Sequence, residues 1–270
     1  MPELPEVETT RLGIIPWVLS KKITDVQIRE PRLRWPIPAK IKDHLVNKNI
    51  LFVKRRAKYL LLETINGSAI IHLGMSGSLR IIKDSEPAGK HDHFDIIFSD
   101  GLALRYRDPR RFGSFLWSID PLSHPLLIKL GPEPLENLFT GNYLWNKAYK
   151  RKVSIKQFIM NAQIVVGVGN IYASESLFMA GINPKRQAGR VSKIRMEKLV
   201  ASIKKILLQA IEAGGTTLQD FHTTDGGDGY FKAKLNAYDR RGKPCLFCSS
   251  AISMIVIGQR STFYCKNCQT

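Results

Sequence analysis

All four cysteines of this 270-residue chain lie in its last 26 residues, as Cys245-Leu-Phe-Cys248 and Cys265-Lys-Asn-Cys268 with sixteen residues between the pairs. A two-residue gap lets both sulfurs of a knuckle reach one tetrahedral ion, and two knuckles complete a four-thiolate shell. The pattern predicts one structural zinc ion, Zn2+, with a small module at residues 236–270 built around it. Four thiolates leave no open position for water, so such a metal holds structure and does no chemistry. Disulfides and a redox dithiol are the competing readings. A redox pair, however, would be single and would sit beside a βαβ unit.

Upstream of that module the hydrophobic period changes once. Tyr59–Ile65 and Ala69–Leu73 flank Asn66-Gly67, while Phe94, Ile96 and Phe98 alternate up to Asp100-Gly101 and Leu102, Leu104 and Tyr106 alternate away from it. Both are hairpin patterns of period two. With shorter apolar runs at Ile23–Ile28 and Leu51–Val53 they imply a β-sandwich or barrel. An N-terminal helix, with Leu4, Val7 and Ile14 on one side and Pro16 ending it, packs against the sheet. Gly131-Pro132-Glu133-Pro134 then punctuates the chain. Beyond it, Ser154–Gln163 and Ile171–Ala180 read as short helices. From Ser192 a long stripe of Met196, Leu199, Val200, Ile203, Ile206, Leu207, Ala210 and Ile211 runs to a stop at Gly214-Gly215. The expected fold is α+β and multidomain. Residues 1–132 form a β-sandwich with flanking helices, 133–150 a hinge, 151–235 a helical domain carrying a glycine-rich Thr223–Gly229 loop, and 236–270 the zinc module.

The charge balance narrows the partner. Lys and Arg number 41 against 23 Asp and Glu, a formal net charge of +18. A surplus of that size points to a polyanion, and its spread over many segments, not one amphipathic helix, favours nucleic acid over a membrane surface. No run of 18 apolar residues is present to span a bilayer, and the acidic N-terminus lacks a signal-peptide pattern. The expected location is the cytoplasm, without membrane attachment.

The chain begins Met1-Pro2-Glu3-Leu4-Pro5-Glu6. Removal of the methionine, expected because residue 2 is small, would expose a secondary amine beside a carboxylate, a nucleophile with an acid/base partner attached. The plainer reading is a helix start, with Pro5 in the first turn and Glu6 and Glu8 complementing the helix dipole. Elsewhere, Lys58 adjoins an apolar strand. His72-Leu-Gly-Met75-Ser-Gly77 and Asp108-Pro-Arg110-Arg-Phe112-Gly113 are glycine-bounded turns that offer a methionine, an arginine and a phenylalanine. Such side chains suit wedging into a base stack or replacing an extruded base. Lys147, Lys150, Arg151, Lys152 and Lys156 form a basic cluster suited to phosphates. Gly167-Val-Gly169-Asn170 can bring backbone amides to a phosphate at a helix start, and Arg260 lies between the cysteine pairs, at the tip of the finger.

Taken together, Met1-Pro-Glu-Leu-Pro-Glu-Val-Glu-Thr9, Arg55-Arg-Ala-Lys-Tyr-Leu60, His72–Gly77, Lys90-His-Asp-His93, Asp108–Gly113, Val166–Tyr172 and the cysteine tail resemble bacterial formamidopyrimidine-DNA glycosylase. The resemblance runs in the family's order along essentially the whole chain. It implies a bifunctional DNA glycosylase and AP lyase of base-excision repair, acting on 8-oxoguanine and formamidopyrimidines in double-stranded DNA as a monomer. It implies a helix–two-turns–helix domain between sandwich and zinc finger, with a lesion-capping loop at Thr223–Gly229. By position it makes Pro2 the nucleophile that forms a Schiff base, Glu3 the general acid/base and Glu6 a supporting carboxylate. Lys58 and Arg260 assist later steps or hold phosphates. Met75, Arg110 and Phe112 fill the gap left by the flipped base, and His91, Arg110, Arg151 and Asn170 contact DNA. β,δ-Elimination then nicks the strand twice. The sister branch acting on oxidised pyrimidines usually carries Gly where this chain has Leu4. A non-catalytic DNA-binding relative would have no need of Pro2, Glu3 and Lys58.

Overall fold

The computed structural model describes residues 2–214 and 235–270, so the Thr223–Gly229 loop and Gly215 lie outside the described residues. Those described fall into two compact units, one ending at Ile128 and one formed by residues 129–213 with 235–270.

The first unit holds two four-stranded antiparallel sheets. One has the order β1 (Ile23–Ile28), β6 (Asp92–Phe98), β7 (Leu102–Arg107), β5 (Ser78–Lys83); the other runs β2 (Phe52–Arg56), β3 (Tyr59–Thr64), β4 (Gly67–His72), β8 (Ser114–Ser118). Both hairpins expected from the alternation form, with Leu61 opposite Ile70 and Ile96 opposite Leu104. Their inner faces share one core with helices α1 (Leu4–Val18) and α2 (Ile41–Leu45), and the Phe94 and Phe115 rings stack across the two sheets at 4.1 Å.

One expectation is corrected here. Pro16 does not end α1; the helix continues to Val18, and the Leu19 amide donates to Ile15 O. A proline this close to the C-terminus removes one ladder bond near an end that frays anyway. On β6 and β7 the face opposite the alternating apolar residues is also covered. Arg105 and Asp95, cross-strand partners, are both 1% exposed. The guanidinium grips Asp95 through Nε at 2.9 Å and Nη2 at 2.8 Å, and donates to the Pro87 and Glu86 carbonyls, so the preceding loop roofs the outer face. Burial would raise Asp95, but the hydrogen bonds and charges of Arg105 and Arg29 outweigh it and hold the carboxyl below its ordinary value.

In the second unit, α3 (Gly141–Ala148) lies within the 133–150 stretch, followed by α4 (Ile155–Met160), α5 (Asn170–Met179) and α6 (Lys193–Glu212). Thr140 and Ser154 cap α3 and α4 by accepting from the Tyr143 and Gln157 amides. The apolar stripe of α6 is its buried face, packed on α3 and α5. The cysteine module, whose hairpin is β9 (Ser253–Ile257) and β10 (Arg260–Tyr264), docks on α5 through a cluster of Phe178, Ala237, Ile252 and Phe263. Glu175 fixes the entry to that module: its buried carboxylate accepts from the amides of Asn236, Ala237 and Tyr238 and from Asn236 Nδ2, all within 2.8–3.0 Å.

Candidate active site and nucleic-acid surface

Pro2 is buried immediately ahead of α1, and Glu3 (3% exposed) is that helix's N-cap. The Glu3 amide donates to Glu6 Oε2 at 2.7 Å, the Glu6 half of a capping box whose other half is the Glu3 side chain facing the Glu6 amide. This reciprocal arrangement fixes both carboxylates at the start of α1, one and four residues after Pro2. It also shows that the helix-start reading and the catalytic reading use the same residues and do not exclude each other. Glu8 sits apart from them, paired with Arg11 at 2.6 Å and Arg55 at 2.8 Å. Burial pushes Glu8 up, but the hydrogen bonds of Arg11 and Arg55 prevail and hold it below its ordinary value. Arg55 is therefore an internal partner, not part of a solvated basic stretch.

Lys58 follows a left-handed turn at Ala57 (φ 55°) and leads into β3. Its charge is felt by His72 at the end of β4, whose ring lies 4.7 Å from that of Tyr59. His72 Nδ1 accepts from the Gly74 amide at 2.9 Å, so the neutral ring carries its proton on Nε2. Burial first, then the charges of Lys58 and Arg34, lower His72 from 6.5 to about 4, with Asp108 opposing. A depressed histidine stabilises the fold fully above its unfolded value, and that contribution is lost as pH falls through the folded one. Stability is thus expected to decline between pH 6.5 and about 4 by up to ~1.4 kcal/mol per pH unit from this one group. Urea titrations across that window should show a shallower decline for His72→Gln. An unchanged slope would mean that His72 is not the group responsible.

His72 begins the turn that carries Met75, and that turn is set against the one carrying Arg110 and Phe112. Gly74 (φ +68°) lies so close that a Cβ there would be 2.5 Å from the Phe112 carbonyl carbon and the Gly113 nitrogen. A Cβ on Gly113 would in turn be 1.8 Å from the Tyr106 hydroxyl, so no larger residue fits either position without moving backbone. Asp108, fully buried, ties the pair together. Its Oδ1 accepts from Ser76 Oγ (2.8 Å) and the Arg110 amide (3.1 Å), and its Oδ2 from Tyr106 Oη (3.0 Å) and the Gly113 amide (2.9 Å). Its backbone amide donates to the His91 carbonyl, which brings His91 to the same place. Met75 and Phe112 remain 37% and 42% exposed, and the Arg110 guanidinium lies 4.8 Å over the Phe112 ring. Two apolar side chains and a cation thus stand out together from one hydrogen-bonded base.

In the second unit, Gly169 is the N-cap of α5 and Asn170 its first residue, while Arg151 is exposed in the chain before α4. Arg260 is exposed at the start of β10, just after a turn through Gly258 and Gln259 with φ 56° and 60°. Lys156, read as one of the phosphate-facing cations, has a different place. It is 0% exposed, and its Nζ donates to Asn170 Oδ1 (2.5 Å), Thr262 Oγ1 (2.7 Å) and Ser261 O (3.1 Å). Asn170 Nδ2 also donates to Ser261 O at 3.1 Å. Lys156 therefore joins the start of α5 to the strand that presents Arg260, and orients the Asn170 amide.

The four cysteines are unbridged and converge, with all Sγ atoms within 4.8 Å of one another. Cys245 and Cys268 are 3.9 Å apart, and Cys248 and Cys265 3.4 Å. A tetrahedral ion with Zn–S bonds of about 2.3 Å requires sulfurs ~3.8 Å apart, a separation that these positions bracket. Bound there, zinc would pin the knuckles that flank β9 and β10. Treatment with a thiol-modifying reagent in the presence of a zinc-sensitive dye should release about one zinc per chain. A stable disulfide found by thiol titration would overturn this assignment.

Three family models match in succession. The formamidopyrimidine-DNA glycosylase N-terminal domain covers residues 1–115, its H2TH domain residues 130–222, and the zinc finger found in FPG and IleRS residues 242–270. The formamidopyrimidine-DNA glycosylases of Nitrosococcus oceani and Hydrogenovibrio crunogenus are 53% and 55% identical over 270 residues, the whole of this chain and 100% and 96% of theirs. The chain belongs to the formamidopyrimidine-DNA glycosylase family. Members of this family are DNA glycosylases with AP-lyase activity. Solved structures agree: the Thermus thermophilus MutM (Fpg) protein superposes with a TM-score of 0.89 at 33% identity, covering 99% of this chain and 98% of its own. A Lactococcus lactis Fpg mutant in complex with Fapy-dG DNA gives 0.91 at 32%, covering 99% of each chain. Wild-type Lactococcus lactis Fpg has also been solved with DNA containing an oxidised pyrimidine.

Asp108, Lys156 and His72 are the residues that sequence reasoning passed over or misplaced. For Asp108 a signal existed: an Asp-Pro pair opening a turn is an acceptor for the amides that follow. For Lys156 none did, because its partners are distant in sequence. No described helix is long and apolar enough to cross a membrane.

Proposed function

We propose that the protein is a bifunctional glycosylase and AP lyase of base-excision repair, removing 8-oxoguanine and formamidopyrimidines from double-stranded DNA. The observation that carries this reading is the buried Pro2–Glu3–Glu6 start of α1 in a chain of this family. The Pro2 nitrogen attacks C1′ of a flipped nucleotide. The base leaves with the glycosidic electron pair and is protonated, and the sugar ring opens to an iminium. Glu3 handles these protons, and Glu6 holds Glu3 in place through the capping box. The iminium acidifies C2′–H, so loss of that proton expels the 3′ phosphate. A second elimination then expels the 5′ phosphate, and water releases Pro2.

Lys58 and Arg260 hold the phosphates that leave. Met75, Arg110 and Phe112 occupy the space of the flipped base, and His91, Arg110, Arg151 and Asn170 bind the strands. In this reading residues 1–132 are the catalytic sandwich and 133–150 the hinge. Residues 151–235 form the helix–two-turns–helix domain with its lesion loop, and 236–270 the finger. The protein works as a monomer in the bacterial cytoplasm at the nucleoid, away from membranes. Borohydride added during reaction with an 8-oxoguanine duplex should trap a covalent protein–DNA complex, and absence of any adduct overturns the mechanism. The trap should include an oxidised pyrimidine, since a relative has been solved with one.

A further inference from the structure

At the far end of α5 from Asn170, a cavity of about 390 Å³ opens among Asn183, Lys185, Arg186, Gln187, Arg190 and Thr270. A ten-residue helix is ~15 Å long, so this place is separate from the Asn170–Arg260 corner. Its walls are fixed. Asn183 donates from its amide to Thr270 O (3.1 Å) and accepts at Oδ1 from the Lys185 amide (3.1 Å). The Ile155 amide donates to Arg186 O (2.7 Å), the Ala188 amide to Val153 O (2.9 Å) and the Gly189 amide to Arg151 O (2.9 Å).

The charge around the cavity is one-sided. No ion pair among the described residues involves Lys185, Arg186 or Arg190. Arg195, whose Nη2 donates to Thr270 O at 2.6 Å, is lowered below its ordinary pKa by burial and then by the charge of Arg186. Thr270 O is engaged by Arg195, and Lys185, Arg186 and Arg190 have no ion-pair partner among the described residues. The bonds from Gly189 to Arg151 and from Ala188 to Val153 lay this loop alongside the exposed Lys150, Arg151 and Lys152. These backbone bonds set the Lys185–Arg190 loop next to the basic residues 150–152. Several unpaired cations spread over two adjoining segments suit a chain of phosphodiesters better than a single small anion.

We infer that Lys185, Arg186 and Arg190 form a second phosphate-binding track, which takes the backbone of duplex DNA outside the lesion contacts and continues the surface begun by Arg151. This rests on the DNA-binding reading above, and the test separates the two. Full-length parent and the triple variant Lys185→Gln, Arg186→Gln, Arg190→Gln are compared for binding to an undamaged duplex of about 40 base pairs across a salt series. Each phosphate contact contributes about 0.9 to the slope of log K against log salt, so the variant's slope should be shallower by ~2.7. Its melting temperature and its borohydride trapping on an 8-oxoguanine duplex of about 12 base pairs, which is ~40 Å long, should match the parent's. A slope equal to the parent's overturns the track. Loss of trapping on the short duplex by a variant that melts like the parent also overturns it, by placing these residues in the lesion site. So does an acidic peptide that binds the parent but not the variant while the DNA slope stays unchanged, since the cavity then serves a protein partner. If the parent itself traps nothing, the catalytic reading fails, while the salt slopes still decide the track.

Discussion

A chain that keeps any residue ahead of Pro2 is expected to form no borohydride-stable adduct with 8-oxoguanine DNA. Its nitrogen would then be an amide, with the lone pair delocalised into the carbonyl, and an amide does not attack C1′. The loss should reach at least about 10³-fold, as removal of a nucleophile does, since nothing else in the site performs that step. Glu3→Gln, with the amine intact, should fall by about 10²–10⁴-fold, the range for a general acid/base. The two variants separate the roles: the first loses the covalent bond, the second only its rate. An extended chain that still traps at the parent rate would show that the amine lies elsewhere. DNA binding by both variants should stay close to the parent's, because the contacts assigned to phosphates are on other residues.

The largest structural effect is expected at Asp108. Alanine there leaves Ser76 Oγ, Tyr106 Oη and the amides of Arg110 and Gly113 without their acceptor in a fully buried place. An unsatisfied buried donor costs about 1–3 kcal/mol, and with partial rescue by water the sum should be ~3–5 kcal/mol of stability. The effect should not stop at stability. The same carboxylate holds the Met75 turn against the Arg110–Phe112 turn, so the three exposed side chains lose their common base. Trapping on lesion DNA should fall even at temperatures where the variant is folded. Asp108→Asn keeps the shape but turns one oxygen into a donor facing two other donors, so it should lie between alanine and the parent. Urea unfolding of Asp108→Ala at the parent midpoint would show that Asp108 is not the tie.

Much of this was legible from residue patterns alone. The β3–β4 and β6–β7 hairpins declared themselves by alternation around Asn66-Gly67 and Asp100-Gly101, and the α6 stripe by its helical spacing. The cysteine tail fixed a metal module because ligand spacing is a local property. What escaped was set by distant contacts. Arg105 reads as an outward strand residue, yet the Glu86–Pro87 chain covers it, and no local pattern says which face of a sheet a loop will cross. Lys156 reads as one cation in a basic run, but its place is decided by residues more than 100 positions later, Ser261 and Thr262. Pro16 reads as a stop, although a proline so near the helix end removes little. Asp108 was visible as part of a turn, and three of its four donors lie within five residues of it; only Ser76 is distant.

The central claim is that the backbone nitrogen of Pro2, and no lysine side chain, carries the bond to DNA. Tandem mass spectrometry of the borohydride-trapped complex after protease and nuclease digestion tests it directly. The account predicts the reduced sugar remnant on the N-terminal peptide, at the Pro2 nitrogen, with methionine absent. A remnant on Lys58 or on any other lysine would contradict it.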